Sequence, residues 1–384
     1  MIKKISLSLL FIFITTCIFS QALQIGLFQS YQLNSLSITL NEGKYAIYAD
    51  GEFYAIYKQN SSFYISRKLN KIVLRDKKNT IGEFEKIEFQ SKSEDCLLSL
   101  KPINPNLKTR IYEGNITIIA KEDKLLAVNK TDMEKYIASV IEAEGGSKAD
   151  IEYYKAQAVL IRTYAIKNMF RHAEEGFNLC DDVHCQAFNG KSMSNPNIYK
   201  AAQSTMGKVV IDADSNLIVS PFHANCGGIT CRAGMYWQKD LPYLLSVKDP
   251  FCTMQNHANW RIEIDRSLWN SYLIKKGYTQ EEVSAFKPDL DFNYRRKSID
   301  IAPNKPITMR SIREDFKLKS SFFTIELTVN KVIFNGKGYG HGIGLCQEGA
   351  MEMAKVGYSW LDIIHFYFTN ISIVDYRDLE LDQY

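Results

Sequence analysis

The sequence predicts an α+β protein, with an antiparallel strand-rich N-terminal region followed by a mixed core that contains several helices. Short alternating apolar runs dominate the first part of the chain, and helical patterns with capping signals begin at residue 131. Strands and helices then come in separate blocks rather than in strict alternation, which argues against a doubly wound sheet. With 384 residues, 46% of them hydrophobic, the chain has enough apolar side chains to form real cores.

The first 20 residues have the layout of a secretory signal peptide. Lys3 and Lys4 precede an apolar run that is shorter than the about 20 residues a bilayer span needs, and small Ser20 marks the expected cleavage site. Cys17 offers lipidation as an alternative, but Thr16 before it fits that processing poorly. We therefore expect an exported protein (periplasm, cell envelope or secreted) without a transmembrane anchor.

From Gln24 to Val128 the chain alternates apolar and polar residues in short runs. Asn, Gly, Asp and Lys separate these runs, which is typical of antiparallel strands joined by turns. We assign residues 21–109 to the strand-rich N-terminal region and residues 110–376 to the core that follows. The clearest predicted strands are residues 37–40, 45–48, 53–57, 62–66, 71–74 and 116–120.

Two helices are predicted next. Thr131 and Glu134 have the spacing of a capping box, and the helix that they begin is expected to end at the glycine pair 145–146. A second helix is expected over residues 150–172, and its almost continuous apolar sequence predicts that it is buried.

The second helix carries Gln157 and Arg162. Unpaired polar groups are costly inside a protein, so both side chains need partners if the helix is buried. Pairing within the protein and contact with a substrate are the two interpretations of these residues. The remaining predicted segments are strands at 208–221, a loop region at 225–252, an irregular charged insertion at 261–311, strands at 322–334 and a last helix that begins at Ser359.

A glycine-rich run at residues 338–349 leaves one ionisable side chain, that of His341, on a bare backbone. Alternating glycines either let another surface approach the backbone closely or adopt positive φ. We favour a ligand-facing loop over the alternative, a strained turn between a strand and a helix with His341 as a structural hydrogen-bonding residue.

Glu144 ends the core-facing stripe of the first predicted helix. At about 100° per residue it shares a narrow face with Met133, Ile137 and Val140. Glu142 points almost oppositely, as a solvated surface charge would. Burial and the C-terminal end of the helix dipole both raise a carboxyl pKa, which suits a general acid near neutral pH. A helix-end glutamate paired with lysine or arginine is the alternative, and the two glycines that follow favour catalysis because they open space.

Cys180, His184 and Cys185 place two thiols and an imidazole within six residues. These groups are preferred zinc donors, and a structural zinc site uses four of them. His172, an aspartate of the same loop or water are the candidates for a fourth ligand. A Cys180–Cys185 disulfide, natural in an exported protein, is the competing interpretation, and both remain open.

The number of cysteines beyond the predicted leader is odd. Seven of the eight cysteines follow Cys17, which implies at least one free thiol or a metal-bound set outside the cytosol. Cys226, Cys231 and Cys252 flank one loop-rich stretch, and a disulfide among them would fit this pattern, with its connectivity undetermined.

At these residues the chain resembles the SpoIID/LytB family of bacterial cell-wall proteins. One block reads Tyr-Ile-Ala-Ser-Val-Ile-Glu-Ala-Glu and another Gly-His-Gly-Ile-Gly-Leu-Cys-Gln-Glu-Gly-Ala. The family's usual serine before Gln347 is Cys346 here, which makes a catalytic hydroxyl at that position unnecessary. Six blocks follow the order of the family, at residues 136–144, 154–165, 184–190, 226–230, 242–244 and 340–350.

The resemblance implies peptidoglycan glycan strands as the substrate and Glu144 as the catalytic residue. SpoIID-type members are lytic transglycosylases that act on strands without stem peptides. Glu144 would protonate the glycosidic oxygen between N-acetylmuramic acid and N-acetylglucosamine, then act as a base on the muramoyl C6 hydroxyl and give 1,6-anhydro-muramoyl ends. LytB-type members imply the alternative, a non-catalytic glycan-binding enhancer of an N-acetylmuramoyl-L-alanine amidase.

The resemblance also implies structural zinc at Cys180, His184 and Cys185, although the family's additional histidine has no equivalent at the same spacing. We expect no nucleic-acid partner, and the formal net charge of +4 is only a weak basic bias. The candidate substrate-binding residues are Arg162, Gln157, His341, Gln347, Gly340 and Gly342.

Overall fold

The computed structural model describes residues 22–237 and 239–379, so the leader predicted at residues 1–20 lies outside the described residues. The described chain has the predicted α+β class. None of its helices is long and apolar enough to cross a membrane.

The first part of the chain folds into two antiparallel sheets. The strands are β1 (Ala22–Leu27), β2 (Ser35–Glu42), β3 (Lys44–Ala49), β4 (Glu52–Lys58), β5 (Ser62–Lys68), β6 (Lys71–Arg75), β7 (Thr80–Phe84), β8 (Lys86–Ser91), β9 (Leu97–Asn104), β10 (Arg110–Glu113), β11 (Asn115–Ala120) and β12 (Leu125–Asp132). One sheet has the order β10-β9-β2-β5-β6-β7, and the other runs β1-β12-β11-β8-β3-β4 with a seventh strand beside β1. All six strands predicted from alternation are confirmed.

One hydrophobic core joins the two sheets. Phe63 of β5 and Phe89 of β8 meet across it with ring centroids 5.4 Å apart. Strands β10, β11 and β12 follow residue 109 but pair with β9, β8 and β1. Residues 21–109 and the start of the segment 110–376 therefore form one packed unit, because strands from both sides of the predicted boundary complete the same sheets.

Helices and short strands follow the two sheets. They are α1 (Met133–Gly145), α2 (Ile151–Lys167), β13 (Leu179–Cys180), α3 (Pro196–Ser204), β14 (Lys208–Ile211), β15 (Phe222–His223) and α4 (Ala233–Tyr236). Strand β13 is the seventh strand, parallel to β1. Helix α2 is buried along most of its length, as predicted. It ends at Lys167 rather than near residue 172, because the chain turns away after Asn168.

Helix α1 begins later than the capping-box pattern indicated. Its N-cap is Asp132 rather than Thr131, and the Asp132 carboxylate accepts the N–H groups of Glu134 and Lys135. Glu134 is turned inward to Arg162, so its carboxylate is engaged in the core. The helix ends as predicted, with residue 146 at a left-handed φ of 72°.

The prediction that residues 261–311 are irregular was wrong. This part of the chain contains β16 (Asn259–Asp265), α5 (Arg266–Lys275), α6 (Gln280–Ala285), β17 (Ser298–Ala302), β18 (Lys305–Thr308) and α7 (Met309–Asp315), followed by β19 (Phe323–Leu327) and β20 (Lys331–Lys337). The elements enclose a second hydrophobic core around Trp269, whose ring centroid lies 5.8 Å from that of Phe334. The charges misled the prediction because they occupy the outer faces of small elements, as in β16, where exposed and half-buried residues alternate.

The chain then returns to the first core through β21 (Leu345–Cys346), α8 (Gln347–Lys355), α9 (Trp360–Tyr367) and β22 (Ser372–Asp375). Strand β21 runs parallel to β15, and both α8 and α9 contact α2. Ser359 caps α9 in a capping box with Asp362, which confirms the predicted start.

Candidate functional site

Glu144 lies half-buried in the last turn of α1. Its Oε1 accepts the backbone N–H of Ala187 at 3.1 Å. Burial raises the pKa of Glu144, and this single hydrogen bond offsets only part of the effect. The stripe of Met133, Ile137 and Val140 is buried, as the helical periodicity predicted. The structure thus holds a carboxyl group that keeps its proton to a higher pH than an ordinary glutamate.

Glu142 is not the solvated surface charge that its position on the helix suggested. It is half-buried, and its carboxylate accepts hydrogen bonds from the Ser192 hydroxyl, the Met193 N–H at 2.9 Å and both the N–H and hydroxyl of Ser194. Burial alone would raise the pKa of Glu142, but these hydrogen bonds together lower it. Glu142 fixes a neighbouring loop and stays ionised.

The end of α1 is held by groups from two other segments. Gln347, the first residue of α8, donates from Nε2 to the carbonyl oxygen of Glu144 at 3.3 Å. Gln186 is buried, and its Oε1 accepts the Tyr136 hydroxyl at 3.1 Å, which anchors the segment that carries Ala187. Neither Gln186 nor Ala187 was predicted as a site residue. The Ala187 N–H leaves no signal in a sequence, because every residue except proline has one.

Arg162 pairs within the protein, one of the two interpretations of its role, and it does not take the alternative role of a substrate contact. Its side chain is fully buried, and its guanidinium forms a two-pronged ion pair with Glu134, with Nε 3.1 Å from Oε1 and Nη2 against Oε2. The same group also donates to the carbonyl oxygens of Ala202 and Lys208. The guanidinium thus joins α1, α2, α3 and β14 and has no face left for a ligand.

Gln157 also lies inside the protein, at 1% exposure. Its Nε2 is 3.2 Å from the hydroxyl of Tyr153, and a Cβ added at Gly145 would lie 2.3 Å from that same hydroxyl. The pair therefore packs under the end of the helix that carries Glu144. Gln157 supports this helix end from within, and it does not face a substrate. Gly146, by contrast, has open space beside it, as the sequence analysis expected of the glycines after Glu144.

The glycine run at residues 338–344 packs against the protein's own chain. Its four glycines have φ values of 77°, 109°, 81° and 70° at positions 338, 340, 342 and 344. A Cβ at Gly340 would lie 2.9 Å from the Cβ of His223, and one at buried Gly342 would lie 2.8 Å from the guanidinium of Arg295. The prediction that these two glycines face a ligand was wrong, because the protein's own chain already occupies the space beside them.

His341 is half-buried, and its Nδ1 accepts the N–H of Ile343 at 3.0 Å. Its ring lies beside those of His223, Tyr236 and Trp237, with centroids 5.4, 6.2 and 6.3 Å away. Burial, followed by the charge of Arg313, lowers the pKa of His341 to about 4. His341 is therefore a neutral ring within an aromatic cluster, and among the predicted substrate contacts in the described chain only Gln347 hydrogen-bonds to Glu144.

His172, Cys180, His184 and Cys185 converge on one point, and we call them the His172 cluster. Their donor atoms all lie within 4.8 Å of one another. Cys185 Sγ is 3.4 Å from His172 Nε2 and 3.8 Å from His184 Nδ1, and Cys180 Sγ is 3.7 Å from His184 Nδ1. Zinc bonded to sulfur and nitrogen in a tetrahedron places such atoms about 3.6 Å apart. The donor set and its spacing fit a zinc ion.

The surroundings of the His172 cluster also fit a metal. His172 presents Nε2 to the cluster while its Nδ1 lies 2.5 Å from Oε1 of Glu175, the arrangement in which a carboxylate orients a metal-binding histidine. The aspartates considered as fourth ligands are engaged elsewhere. Asp181 accepts from Arg110 at 2.7 Å, and Asp182 from the Val183 N–H at 2.7 Å. His172 is thus the residue that completes the set of four.

All seven cysteines that the structure describes are free thiols. Cys226 and Cys252, two of the three expected near one disulfide, have sulfurs 3.4 Å apart, whereas Cys231 lies apart from them against the carbonyl oxygen of Arg232. Cys346, which the sequence analysis did not connect with this loop, is the cysteine that joins Cys226 and Cys252.

Comparison with known proteins gives consistent matches. A family model described as Stage II sporulation protein matches residues 121–211, the segment that holds α1, α2 and the His172 cluster. Over 309 residues the chain is 25% identical to Stage II sporulation protein D of Bacillus subtilis, covering 76% of this chain and 88% of that protein. It is also 25% identical over 295 residues to the Amidase enhancer of the same organism, covering 62% of this chain and 40% of that protein.

A relative from Brachyspira hyodysenteriae, an uncharacterized protein, is 30% identical over 270 residues, which cover 69% of this chain and 73% of the relative. The matches extend well beyond the segment around α1 and α2, and they agree with the ordered motifs of the sequence. The chain belongs to the SpoIID/LytB family.

Proposed function

We propose that this protein is an exported peptidoglycan lytic transglycosylase that cleaves the bond between N-acetylmuramic acid and N-acetylglucosamine in strands without stem peptides. Family membership gives the chain a role related to the cell wall. The observation that carries the finer proposal is Glu144, a half-buried carboxyl of raised pKa two residues from Glu142, whose pKa is lowered. Two carboxyls whose surroundings push their pKa values apart are the pattern that identifies a catalytic acid.

In this mechanism Glu144 acts twice. Its Oε1 accepts the Ala187 N–H, so the proton belongs on Oε2, where it is available to a ligand. Oε2 donates this proton to the glycosidic oxygen, and the bond to the muramoyl C1 breaks. The carboxylate then takes the proton of the muramoyl C6 hydroxyl as that oxygen bonds to C1 and closes the 1,6-anhydro ring. Glu144 ends protonated again, so no water and no second carboxyl are consumed.

We further propose that the His172 cluster holds a structural zinc ion. Zinc there supplies folding energy rather than chemistry, since four protein ligands leave no open coordination position. The segment that follows Cys185 directly carries Gln186 and Ala187, and Ala187 donates to Glu144. Fixing Cys185 therefore fixes the donor that orients the catalytic carboxyl.

Glu144→Gln tests the proposal. The amide keeps the size of the side chain but cannot give up a proton, so release of anhydro-muramoyl ends from peptide-stripped glycan strands should fall at least about 100-fold. The raised pKa means that folding opposes ionisation of Glu144 as the pH rises through its pKa. The variant should therefore be as stable as the wild type, or more stable, at pH 7.

Glu142→Gln is the matched control. It should keep cleavage within a few-fold of wild type while it loosens the loop at residues 192–194, because its hydrogen bonds lie in that loop. Mass spectrometry of the digested strands and thermal melting give both readouts. Equal loss of cleavage in the two variants would show that the distinction between the two carboxyls is mistaken.

The alternative function is a glycan-binding enhancer of a cell-wall amidase, which the name of the Bacillus subtilis relative favours. In that case the protein would raise the rate of an added N-acetylmuramoyl-L-alanine amidase on intact peptidoglycan, without producing anhydro ends of its own. The Glu144→Gln variant would then still stimulate the amidase. Anhydro ends formed by the wild type and lost in the variant decide for the transglycosylase.

A further inference from the structure

A second group of metal-binding side chains lies away from the His172 cluster. Cys226, Asp249, Cys252 and Cys346, which we call the Cys346 cluster, are all fully buried, and their donor atoms lie within 4.8 Å of one another. Cys226 Sγ is 3.4 Å from Cys252 Sγ and 3.2 Å from Asp249 Oδ2. Three separate parts of the chain thus bring three thiols and a carboxyl to one buried point.

Asp249 is the first sign that a cation belongs here. Its Oδ2 accepts the Tyr367 hydroxyl at 2.9 Å and its Oδ1 the N–H of Phe251 at 3.0 Å. No lysine, arginine or histidine of the described residues forms an ion pair with it. A buried carboxyl without a positive partner is costly to keep ionised, and a bound metal ion supplies that charge. The protein makes room for this group, since a Cβ at Gly349 would lie 2.4 Å from Asp249 Oδ2.

The sulfurs show the second sign. The N–H of Cys226 points at Cys346 Sγ at 3.2 Å, and the N–H of Gly228 points at Cys252 Sγ at 3.3 Å. Cys346 is also the N-cap of α8, where the helix dipole favours negative charge. Backbone donors aimed at sulfur stabilise thiolates, and such outer contacts orient the ligands of metal sites.

We propose that Cys226, Asp249, Cys252 and Cys346 form a second metal site, which binds one zinc ion. Zinc–sulfur bonds of about 2.3 Å in a tetrahedron place two sulfurs about 3.8 Å apart, close to the observed 3.4 Å. A disulfide needs about 2.05 Å and would use only two of the three thiols, leaving Asp249 and Cys346 without a role.

The second site has a consequence for the first core. A metal ion at this site would connect three segments: the loop after β15, the loop before β16 and the start of α8. The site lies beside Tyr367 of α9. Gln347 follows Cys346 directly and holds the carbonyl oxygen of Glu144. Zinc in the Cys346 cluster would therefore stabilise the residue that holds this carbonyl oxygen. This inference stands without the proposed transglycosylase activity, because its test counts metal.

The experiment measures metal by elemental mass spectrometry in full-length protein purified without chelator. Wild type should hold two zinc ions per chain. The Cys346→Ser variant should hold one, and the His172→Ala variant should hold one. Cys231→Ser is the matched control, since this thiol is equally buried but lies outside both clusters, and it should keep both ions.

Each result has one meaning. Two zinc ions in the Cys346→Ser variant would overturn the second site. So would one ion in the wild type together with none in the His172→Ala variant. A wild-type protein mass 2 Da below the calculated value, with Cys226 and Cys252 in one cross-linked peptide, would also overturn it. One ion in wild type that His172→Ala retains would support the second site and overturn zinc in the His172 cluster. If Cys346→Ser does not fold, the counts in wild type, His172→Ala and Cys231→Ser still decide.

Discussion

Glu142 and Glu144 are two residues apart on one helix, yet their surroundings move their pKa values in opposite directions. Helical geometry turns the two side chains towards different segments, so Glu142 meets a loop of hydroxyls and N–H groups while Glu144 meets a single N–H. Hydrogen bonds favour the ionised form of one carboxyl, and burial favours the neutral form of the other. The division of roles at this site therefore depends on what each residue faces.

His341 carries a prediction at the same scale. Its pKa of about 4 lies below the about 6.5 of a histidine in an unfolded chain, so between these values the unfolded protein binds more protons. The free energy of unfolding should thus decrease as the pH falls from 6.5 to 4. His223, which is buried and also has a lowered pKa, adds to this slope, and the charges of Arg295 and Arg313 help to lower the pKa of both rings.

The check is urea unfolding at pH 7 and pH 4.5. His341→Asn should reduce the stability lost between the two pH values, because the asparagine has no proton to gain. His365→Asn, at an exposed histidine, is the control for removal of an imidazole as such. An unchanged pH dependence in the His341→Asn variant would contradict the neutral state of this ring.

At the scale of elements, the glycine run makes a separate prediction. Gly342→Ala should destabilise the protein by more than about 1 kcal/mol, since φ is 81° and the new Cβ would meet the Arg295 guanidinium. That guanidinium cannot move away easily, because it donates to the carbonyl oxygens of Ile229 at 2.7 Å and Cys226 at 2.5 Å. The glycan affinity of the folded protein should stay close to that of wild type.

The Gly357→Ala variant separates the effect of the positive φ from the effect of the contact with Arg295. Its φ of 98° is also positive, but nothing lies within 4 Å of its Cβ position. Thermal melting of both variants, together with glycan-strand binding at a temperature where both are folded, gives the comparison. A large loss of binding in Gly342→Ala with an unchanged melting temperature would restore the ligand-facing interpretation.

The elements show where sequence reasoning succeeds and where it stops. Alternation was sufficient for β2 to β6, and helical periodicity was sufficient for the buried stripe that leads to Glu144, because both patterns are local. The partner of Arg162 could not be predicted, because Glu134 lies on another helix and no local signal reports that pairing. The same holds for the Cys346 cluster, which gathers residues up to 120 positions apart.

At the scale of the whole molecule, the His172 cluster joins parts of the chain that are distant in sequence. Cys180 lies in β13, which pairs with the first described strand, His172 follows α2, and the segment after Cys185 reaches Glu144. A metal bound there would thus connect the large sheet to the helix that carries Glu144. A metal that binds only the folded chain adds about 2.7 kcal/mol to stability when it is present at 100 times its Kd.

A substitution at Glu175 tests the connection between the His172 cluster and Glu144 without removing a proposed metal ligand. Glu175→Gln should weaken zinc binding at the His172 cluster by about 10–100-fold, because the carboxylate that orients His172 is lost. Competition with a chelator measures the affinity, and amide hydrogen exchange at Ala187 reports whether the donor to Glu144 becomes more mobile at limiting zinc. Glu174→Gln, at the exposed neighbouring glutamate, is the matched control and should change neither. Weaker zinc binding with unchanged exchange at Ala187 would show that the cluster stabilises only its own surroundings and does not position the hydrogen-bond donor to Glu144.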